Sequence, residues 1–261
     1  MQYLKEYQGF SVDLRELSKV LSLIGKGPIN NSGLLEETGF GINKVRGIKE
    51  YLSDFGLLAE KNTLTAVGQL IYQNDHRFRD PFTQWVILYH WSMKENNPFL
   101  NFLINDLSVA ADDAAIIRKF KQWAERNKVK TDYEGNKLNG LINRTKSAIL
   151  ESSAFQSLNL FLSFDDVLQR AEPYNVNPYI IAYILYNQRR GRTSVSFSEL
   201  LDERNNVAKF FNWNSKELEA KMVELMNMKM TKLVHYADLH LIEFSYNGTP
   251  NNLIEEYYEE Y

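Results

Sequence analysis

The fold of this chain is decided by the stretch Gly39-Phe-Gly-Ile-Asn-Lys-Val-Arg-Gly-Ile-Lys-Glu-Tyr-Leu-Ser-Asp-Phe-Gly-Leu-Leu-Ala-Glu-Lys-Asn-Thr-Leu-Thr-Ala-Val-Gly68. Its apolar residues recur at helical spacing and predict a helix of about four turns that ends at Gly56. A turn at Lys61-Asn62 then joins two short extended segments, and Thr65 is placed to cap the next helix. A helix followed by a small hairpin, or wing, is typical of a winged helix. The apolar residues of the helix are Val45, Ile48, Leu52 and Phe55.

Two further helices are predicted before this stretch. Leu14, Leu17, Leu21 and Ile24 follow a cap at Ser11 or Asp13, and Gly25-Lys26-Gly27-Pro28 ends this helix. Asn30 or Asn31 then caps a short helix around Leu34 and Leu35. The order helix, helix, turn, helix, wing is complete by about residue 79, so residues 1–79 are predicted to form a winged-helix DNA-binding domain.

The third helix of this domain presents a candidate DNA-binding face. The apolar stripe leaves Asn43, Arg46, Gly47 and Glu50 pointing away from the core. Gly47 costs roughly 1 kcal/mol inside a helix relative to Ala, which indicates a close backbone approach to phosphate or to another helix. Glu50 and Asp54 on the same side are unfavourable next to phosphate, so a protein-binding face is the alternative. The predicted DNA-binding residues are Asn43, Lys44, Arg46, Gly47, Lys49 and Lys61.

Composition excludes several classes of protein. The net charge of −3 argues against an indiscriminate polyanion binder. The absence of cysteine excludes disulfides, thiolate metal sites and a cysteine nucleophile in this chain. There is no apolar run long enough to span a membrane and no signal segment, so a cytoplasmic location is expected.

Charge is distributed unevenly along the chain. Residues 115–150 hold nine Lys or Arg against three acids, whereas Glu255, Glu256, Glu259 and Glu260 fall in the last seven residues. A basic middle and an acidic end fit a DNA-facing side and a partner-facing side. Two solvated helix faces are an equally good explanation.

The rest of the chain predicts a mainly α protein. Residues 80–172 are predicted to form a helical domain, and residues 173–261 to form a second, diverged winged-helix-like domain that contains a β-hairpin. Its third helix, capped by Ser215, carries Glu217, Glu219 and Glu224 and suits a protein interface better than a DNA groove.

The segments together resemble a bacterial winged-helix family of unknown function. This family is associated with DNA phosphorothioation and related defence systems, and it includes the nickase subunit SspB. The most specific matching segment runs from Asp75 through Asp80-Pro81-Phe82-Thr83-Gln-Trp85 to Tyr89-His90-Trp91. Many members begin with Gly-His-Glu-Thr-Phe, where this chain has Gly9-Phe10-Ser11-Val12. Other matches are Phe40-Gly41 to Lys49, Leu64-Thr65-Ala-Val-Gly68, Phe197 to Glu203 and Leu253 to Tyr258.

The resemblance implies a DNA-binding component of a phosphorothioation or related defence system. Double-stranded DNA and other subunits of the system, such as a sulfurtransferase and an ATPase, are the implied partners. The alternatives are a non-enzymatic winged-helix adaptor and a transcriptional regulator. If the missing His-Glu pair contributes to chemistry, this member binds DNA without cutting it.

A metal-dependent DNA nickase would most simply use Mg²⁺ or Mn²⁺ to activate water, and no nucleotide or organic cofactor is expected. Asp75 and Asp80 are the candidate metal ligands and His76 the candidate base, although each has a structural alternative as a helix cap or loop residue. The adjacent acids Asp112-Asp113, Asp165-Asp166 and Asp202-Glu203 are predicted to be helix caps. His90 is predicted to be a core histidine, and His235 and His240 to face each other across a hairpin.

Overall fold

A computed structural model of the chain describes residues 2–3, 5–130, 136–236 and 239–261. Helices account for 59% of the residues and strands for 11%, which confirms the mainly α class. The chain forms two compact units, Met1–Arg170 and Ala171–Tyr261. The division into three domains at residues 79 and 172 stays a prediction.

The first unit is built from eight α-helices and three small strand pairs among the described residues. Its β1 and β4 pair in parallel, whereas β2 with β3 and β5 with β6 form antiparallel hairpins. The elements are β1 Gln2–Tyr3, α1 Leu14–Gly25, α2 Asn31–Thr38, α3 Ile42–Asp54, β2 Leu58–Ala59, β3 Thr63–Leu64, α4 Ala66–Asp75, α5 Pro81–Trp91, α6 Pro98–Asp106, α7 Asp113–Arg126, β4 Val129–Lys130, α8 Asn136–Leu150, β5 Phe161–Phe164 and β6 Val167–Arg170.

The second unit combines helices with a three-stranded sheet of order β7-β9-β8. The hairpin register pairs the backbone of His235 with that of His240, as predicted. Its elements are α9 Pro178–Gln188, β7 Ser194–Ser196, α10 Phe197–Asp202, α11 Val207–Phe211, α12 Ser215–Asn227, β8 Thr231–Tyr236, β9 Leu239–Phe244 and α13 Pro250–Glu260.

Side-chain caps fix the helix starts of the first unit. The Asp13 carboxylate accepts the N–H groups of Arg15 and Glu16, and Asn30 accepts that of Gly33. Thr65 caps α4 through Gly68, as predicted. These side chains satisfy backbone donors that have no partner within the first turn of a helix.

An aromatic cluster forms the centre of the first unit. The rings of Tyr7 and Tyr51 stack with centroids 3.9 Å apart, and Trp91 meets both of them edge-on. Phe55 and Phe155 contact Trp91 from other sides. The cluster joins the N-terminal segment, α3 and α5, so the orientation of α3 is set by buried rings.

Several sequence predictions are corrected by the structure. Asp165-Asp166 is not a helix cap: both residues have positive φ, 47° and 62°, and form the tight turn between β5 and β6. Asp202-Glu203 lies at the C-terminal end of α10, whereas Asp112 caps α7 as predicted. The cap of α12 is Asn214, one residue before the predicted Ser215. The sequence also predicts a polar loop at residues 128–136 and a two-residue turn at Ala237-Asp238. Residues 131–135 of that loop and the whole turn lie outside the described residues.

Candidate nucleic-acid interface

One side of α3 is open to solvent and carries the exposed side chains of Asn43, Arg46 and Ser53. A groove of 350 Å³ runs between this side and the β2–β3 hairpin, lined by Arg46, Lys49 and Lys61 among others. A second groove of 560 Å³ continues past Lys49 and Lys61 to the start of α2. The structure therefore brings Arg46, Lys49 and Lys61 to one continuous surface.

Polar contacts hold the two sides of this surface together. Lys61 and Asn62 have φ values of 57° and 56°, and the Asn62 amide donates 2.9 Å to the Ile29 carbonyl oxygen. The Lys49 ammonium donates 2.9 Å to the Asn31 side-chain oxygen, and partial burial lowers the pKa of Lys49. The positions of the turn and of α2 relative to α3 are thus fixed by hydrogen bonds.

Two acids share the groove with these cations. Glu50 and Glu60 both line it. The Glu50 carboxylate accepts a 3.1 Å hydrogen bond from the Gln8 amide, which offers it a partner outside the groove. Three cations against two acids leave a modest positive excess.

Lys44 does not join Arg46 on the open side. Its ammonium forms an ion pair with Glu16 and lies 5.6 Å and 5.1 Å from the ring centroids of Phe10 and Phe40. These contacts occupy Lys44 within the chain.

Gly47 is covered by the N-terminal strap, defined here as residues 5–10. A Cβ atom added at Gly47 would lie 2.5 Å from the carbonyl oxygen of Tyr7. The close backbone approach inferred from the sequence is therefore made by the chain itself. Gly47 is buried, so it offers no surface to DNA in this structure.

Asp54 is the most unexpected residue of α3. It is 2% exposed, although the sequence placed it on the open side with Glu50. Its carboxylate accepts a 2.8 Å hydrogen bond from the Tyr7 hydroxyl and forms an ion pair with Lys5. Burial raises the pKa of this carboxyl group, and the hydrogen bonds from Lys5 and Tyr7 partly oppose that rise. The helical spacing around Asp54 does not predict its burial, because its partners lie more than 40 positions away in the sequence.

Asp75 and Asp80 shape the loop between α4 and α5. The two oxygens of Asp75 accept the N–H groups of Arg79 at 3.1 Å and Asp80 at 2.9 Å. Asp80 caps α5 by accepting the N–H of Phe82 at 2.8 Å. The half-exposed His76 ring lies 6.1 Å from the ring of Tyr72. Both carboxylates therefore support backbone structure.

These residues do not fit a magnesium centre well. Both Asp75 oxygens and one Asp80 oxygen already accept backbone N–H groups, and Arg77 and Arg79 add positive charge to the same loop. Over the described ranges, no three His, Asp or Glu side chains come together in an arrangement that could hold a metal ion. The assignment of Asp75 and Asp80 as metal ligands and of His76 as a base stays a prediction.

His90 and His240 lie in different surroundings. The His90 ring packs near Gly56, and burial lowers its pKa to about 4, as expected of a core histidine. His240 is exposed and lines an apolar groove of 380 Å³ between α12 and the sheet of the second unit. Other residues of that groove are Glu219, Met222, Val223, Met226 and Leu233.

The basic middle of the sequence is partly used within the fold. Lys146 forms an ion pair with Asp113, whereas Arg118, Lys121, Arg126 and Lys128 are exposed. In the acidic C-terminal helix α13, Glu256 and Glu260 accept hydrogen bonds from the hydroxyl groups of Tyr246 and Tyr179 at 2.6 and 2.7 Å.

Comparison with known proteins gives the family. A model of the family "Protein of unknown function (DUF4007)" matches residues 8–261. The chain belongs to this family. No curated protein matches the sequence. Among solved structures, a magnesium ion-bound SspB crystal structure superposes with a TM-score of 0.80 at 13% identity, covering 100% of this chain and 88% of SspB. A second SspB crystal structure gives 0.78 at 12% identity with the same coverage.

At this identity the SspB structures show a common fold. The family assignment and the SspB match confirm the coarse resemblance found in the sequence. Among the described residues, no helix has the length and hydrophobicity needed to cross a membrane.

Proposed function

We propose that this chain is the DNA-binding component of a bacterial DNA phosphorothioation or related defence system. It binds double-stranded DNA through the exposed side of α3 and the β2–β3 hairpin. The observation that carries this proposal is the continuous surface shared by Arg46, Lys49 and Lys61.

The order of α1, α2, α3 and the β2–β3 hairpin is compatible with a winged helix, and the proposal takes α3 as its recognition helix. In such units the N-terminal half of the recognition helix lies in the major groove. Asn43 and Arg46 occupy that half, and Lys61 lies at the tip of the hairpin, where it reaches a neighbouring phosphate.

The link to phosphorothioation rests on the SspB-like fold and on the segments that resemble the family. The system's sulfurtransferase and ATPase are the partners that this role implies. Neighbouring genes for a cysteine desulfurase and a sulfurtransferase would support the assignment.

The competing proposal is a non-enzymatic adaptor, and one observation favours it. The groove of the second unit is apolar, and Glu219 lies among the methionines that line it. That surface suits a partner segment with apolar side chains and one Lys or Arg opposite Glu219. A transcriptional regulator would use the same DNA surface without such partners.

Titration of labelled duplex DNA at several salt concentrations tests the proposal. Contact with phosphates predicts that log K falls linearly with log salt, by about 0.9 per phosphate neutralised. Arg46→Ala lowers this slope by about one if Arg46 contacts phosphate, and relaxes sequence preference if it reads a base. Affinity that does not respond to salt would contradict the proposal.

A further inference from the structure

A second cationic feature of the first unit lies outside the α3 surface. A cavity of 450 Å³, here called the arginine cavity, is lined by Arg15, Arg77 and Arg79 together with Gln84, Ser153 and Ser157. It shares no lining residue with the α3 grooves. None of its lining residues is acidic.

The loop that carries Arg77 and Arg79 is held in a strained conformation. Phe78, between them, is 2% exposed and has a φ of 54°, which is unusual for a bulky residue. Such strain persists only where surrounding contacts enforce it, and it clusters at binding sites. Phe78 is buried, whereas Arg77 before it and Arg79 after it are exposed. The loop therefore presents two guanidinium groups to solvent, one from each neighbour of the buried ring.

Several hydrogen bonds enforce this conformation. Asp75 accepts the N–H groups of Arg79 and Asp80, as described above. The nearly buried Gln84 donates 2.8 Å to the Phe78 carbonyl oxygen, and its own side-chain oxygen accepts 3.0 Å from the Ser157 hydroxyl. The loop and the opposite wall of the cavity are therefore connected through Gln84.

The third arginine comes from the first turn of α1. The N–H of Leu14 donates 3.0 Å to the carbonyl oxygen of Ser153, which joins this turn to the segment after α8. The Arg15 guanidinium has only a loose ion pair, 3.5 Å from Asp13, and its side chain is 84% exposed. Among the described residues, no carboxylate forms an ion pair with Arg77 or Arg79.

Like charges gathered in one cavity repel each other unless an anion joins them. Guanidinium groups match the oxygens of a phosphate group in pairs, and serine hydroxyls add further donors. We propose that the arginine cavity binds a phosphate group, carried either by a nucleic-acid strand or by a free nucleotide. Asp75, nominated above as a metal ligand, is a positioning residue of this site.

The proposal does not depend on DNA binding by α3, and the test separates the two. Inorganic phosphate, ATP and a single-stranded 12-mer are titrated into the full chain by calorimetry. Arg77→Ala/Arg79→Ala is compared with Lys216→Ala/Lys232→Ala, which removes two exposed cations from the second unit. Arg46→Ala/Lys61→Ala serves as the control on the α3 surface.

We expect wild type to bind at least one probe, and the arginine double variant to bind it about tenfold or more weakly. The Lys216→Ala/Lys232→Ala control should bind every probe as wild type does, and Arg46→Ala/Lys61→Ala should bind phosphate and ATP as wild type does, because the α3 surface is proposed to contact DNA only. A larger loss of affinity for the 12-mer than for ATP in the arginine double variant identifies a strand as the source of the phosphate, and a larger loss for ATP identifies a nucleotide. Arg77→Lys/Arg79→Lys keeps the charge and should retain part of the affinity.

Two results would overturn the proposal. One is that no probe binds wild type. The other is that the arginine variant, still unfolding at the wild-type temperature, binds as tightly as the Lys216→Ala/Lys232→Ala control.

Discussion

The hydroxyl group of Tyr7 donates a 2.8 Å hydrogen bond to the carboxylate of Asp54, and accepts one of 2.9 Å from the indole N–H of Trp91. The bond between Tyr7 and Asp54 holds the N-terminal strap against one side of α3. It leaves only the side with Asn43, Arg46 and Ser53 open to solvent. The strap therefore determines which part of α3 is available to a partner, and the proposed function makes that partner DNA.

Tyr7→Phe should lower the free energy of unfolding by about 1 to 3 kcal/mol, because it leaves the buried indole N–H of Trp91 without its acceptor. Chemical denaturation measures the change. Tyr174→Phe is the control, because it removes a hydroxyl from a side chain that is 78% exposed. It should leave the free energy of unfolding unchanged. Equal stability of Tyr7→Phe and wild type would show that the strap is not held by this bond.

Substituting alanine at two helical glycines should have opposite effects. Gly47→Ala places a Cβ against the Tyr7 backbone and should destabilise by about 1 to 3 kcal/mol. At Gly140 an added Cβ meets only the movable Arg144 guanidinium, 3.2 Å away. Gly140→Ala should therefore raise the free energy of unfolding by up to about 1 kcal/mol, because alanine has the higher helix propensity. If both variants were stabilised, Gly47 would not be covered by the strap.

The lowered pKa of His90 predicts a pH-dependent stability. The folded protein keeps His90 neutral down to about pH 4, whereas the unfolded chain binds a proton near pH 6.5. The contribution of neutral His90 to the free energy of unfolding is thus fully present above pH 6.5. It falls by at most about 1.4 kcal/mol per pH unit as the pH drops towards 4. The difference in unfolding free energy between wild type and His90→Gln should follow this course. A difference that is constant over the range would contradict the pKa.

Capping and metal binding make different predictions for Asp80. Asparagine caps helices as well as aspartate, so Asp80→Asn should keep wild-type stability while Asp80→Ala loses about 1 kcal/mol. The same Asn variant, with Asp75→Asn, is assayed for conversion of supercoiled plasmid to open circles with Mg²⁺ or Mn²⁺. Loss of nicking in the folded variants would support the metal prediction. If the variants nick at the wild-type rate, or if wild type does not nick at all, the metal prediction is wrong and the role of Asp75 and Asp80 is structural.

Sequence patterns predicted the part of the fold that depends on local spacing. The apolar stripe of α3, the cap at Thr65 and the Lys61-Asn62 turn all follow from contacts within a few residues. The burial of Gly47 and Asp54 was missed, because it depends on the strap more than 35 positions away. The Asp165-Asp166 turn was missed because Asp is favoured both in tight turns and at helix caps.

The same limit applies to the candidate site. Arg46, Lys49 and Lys61 were predicted and share one surface, whereas Lys44 is held within the chain by Glu16, Phe10 and Phe40. The arginine cavity gave no signal in the sequence, since its walls come from three separate segments.

The binding of labelled duplex DNA to two double variants of equal charge tests the central claim most directly. Arg46→Ala/Lys61→Ala removes two cations from the α3 surface, and Arg118→Ala/Lys121→Ala removes two exposed cations from α7. We predict that the first variant binds roughly tenfold or more weakly than wild type, with a salt slope smaller by about two, while the second binds almost normally. Normal binding by the first variant and weakened binding by the second would contradict the account and move the DNA site to the basic middle of the chain.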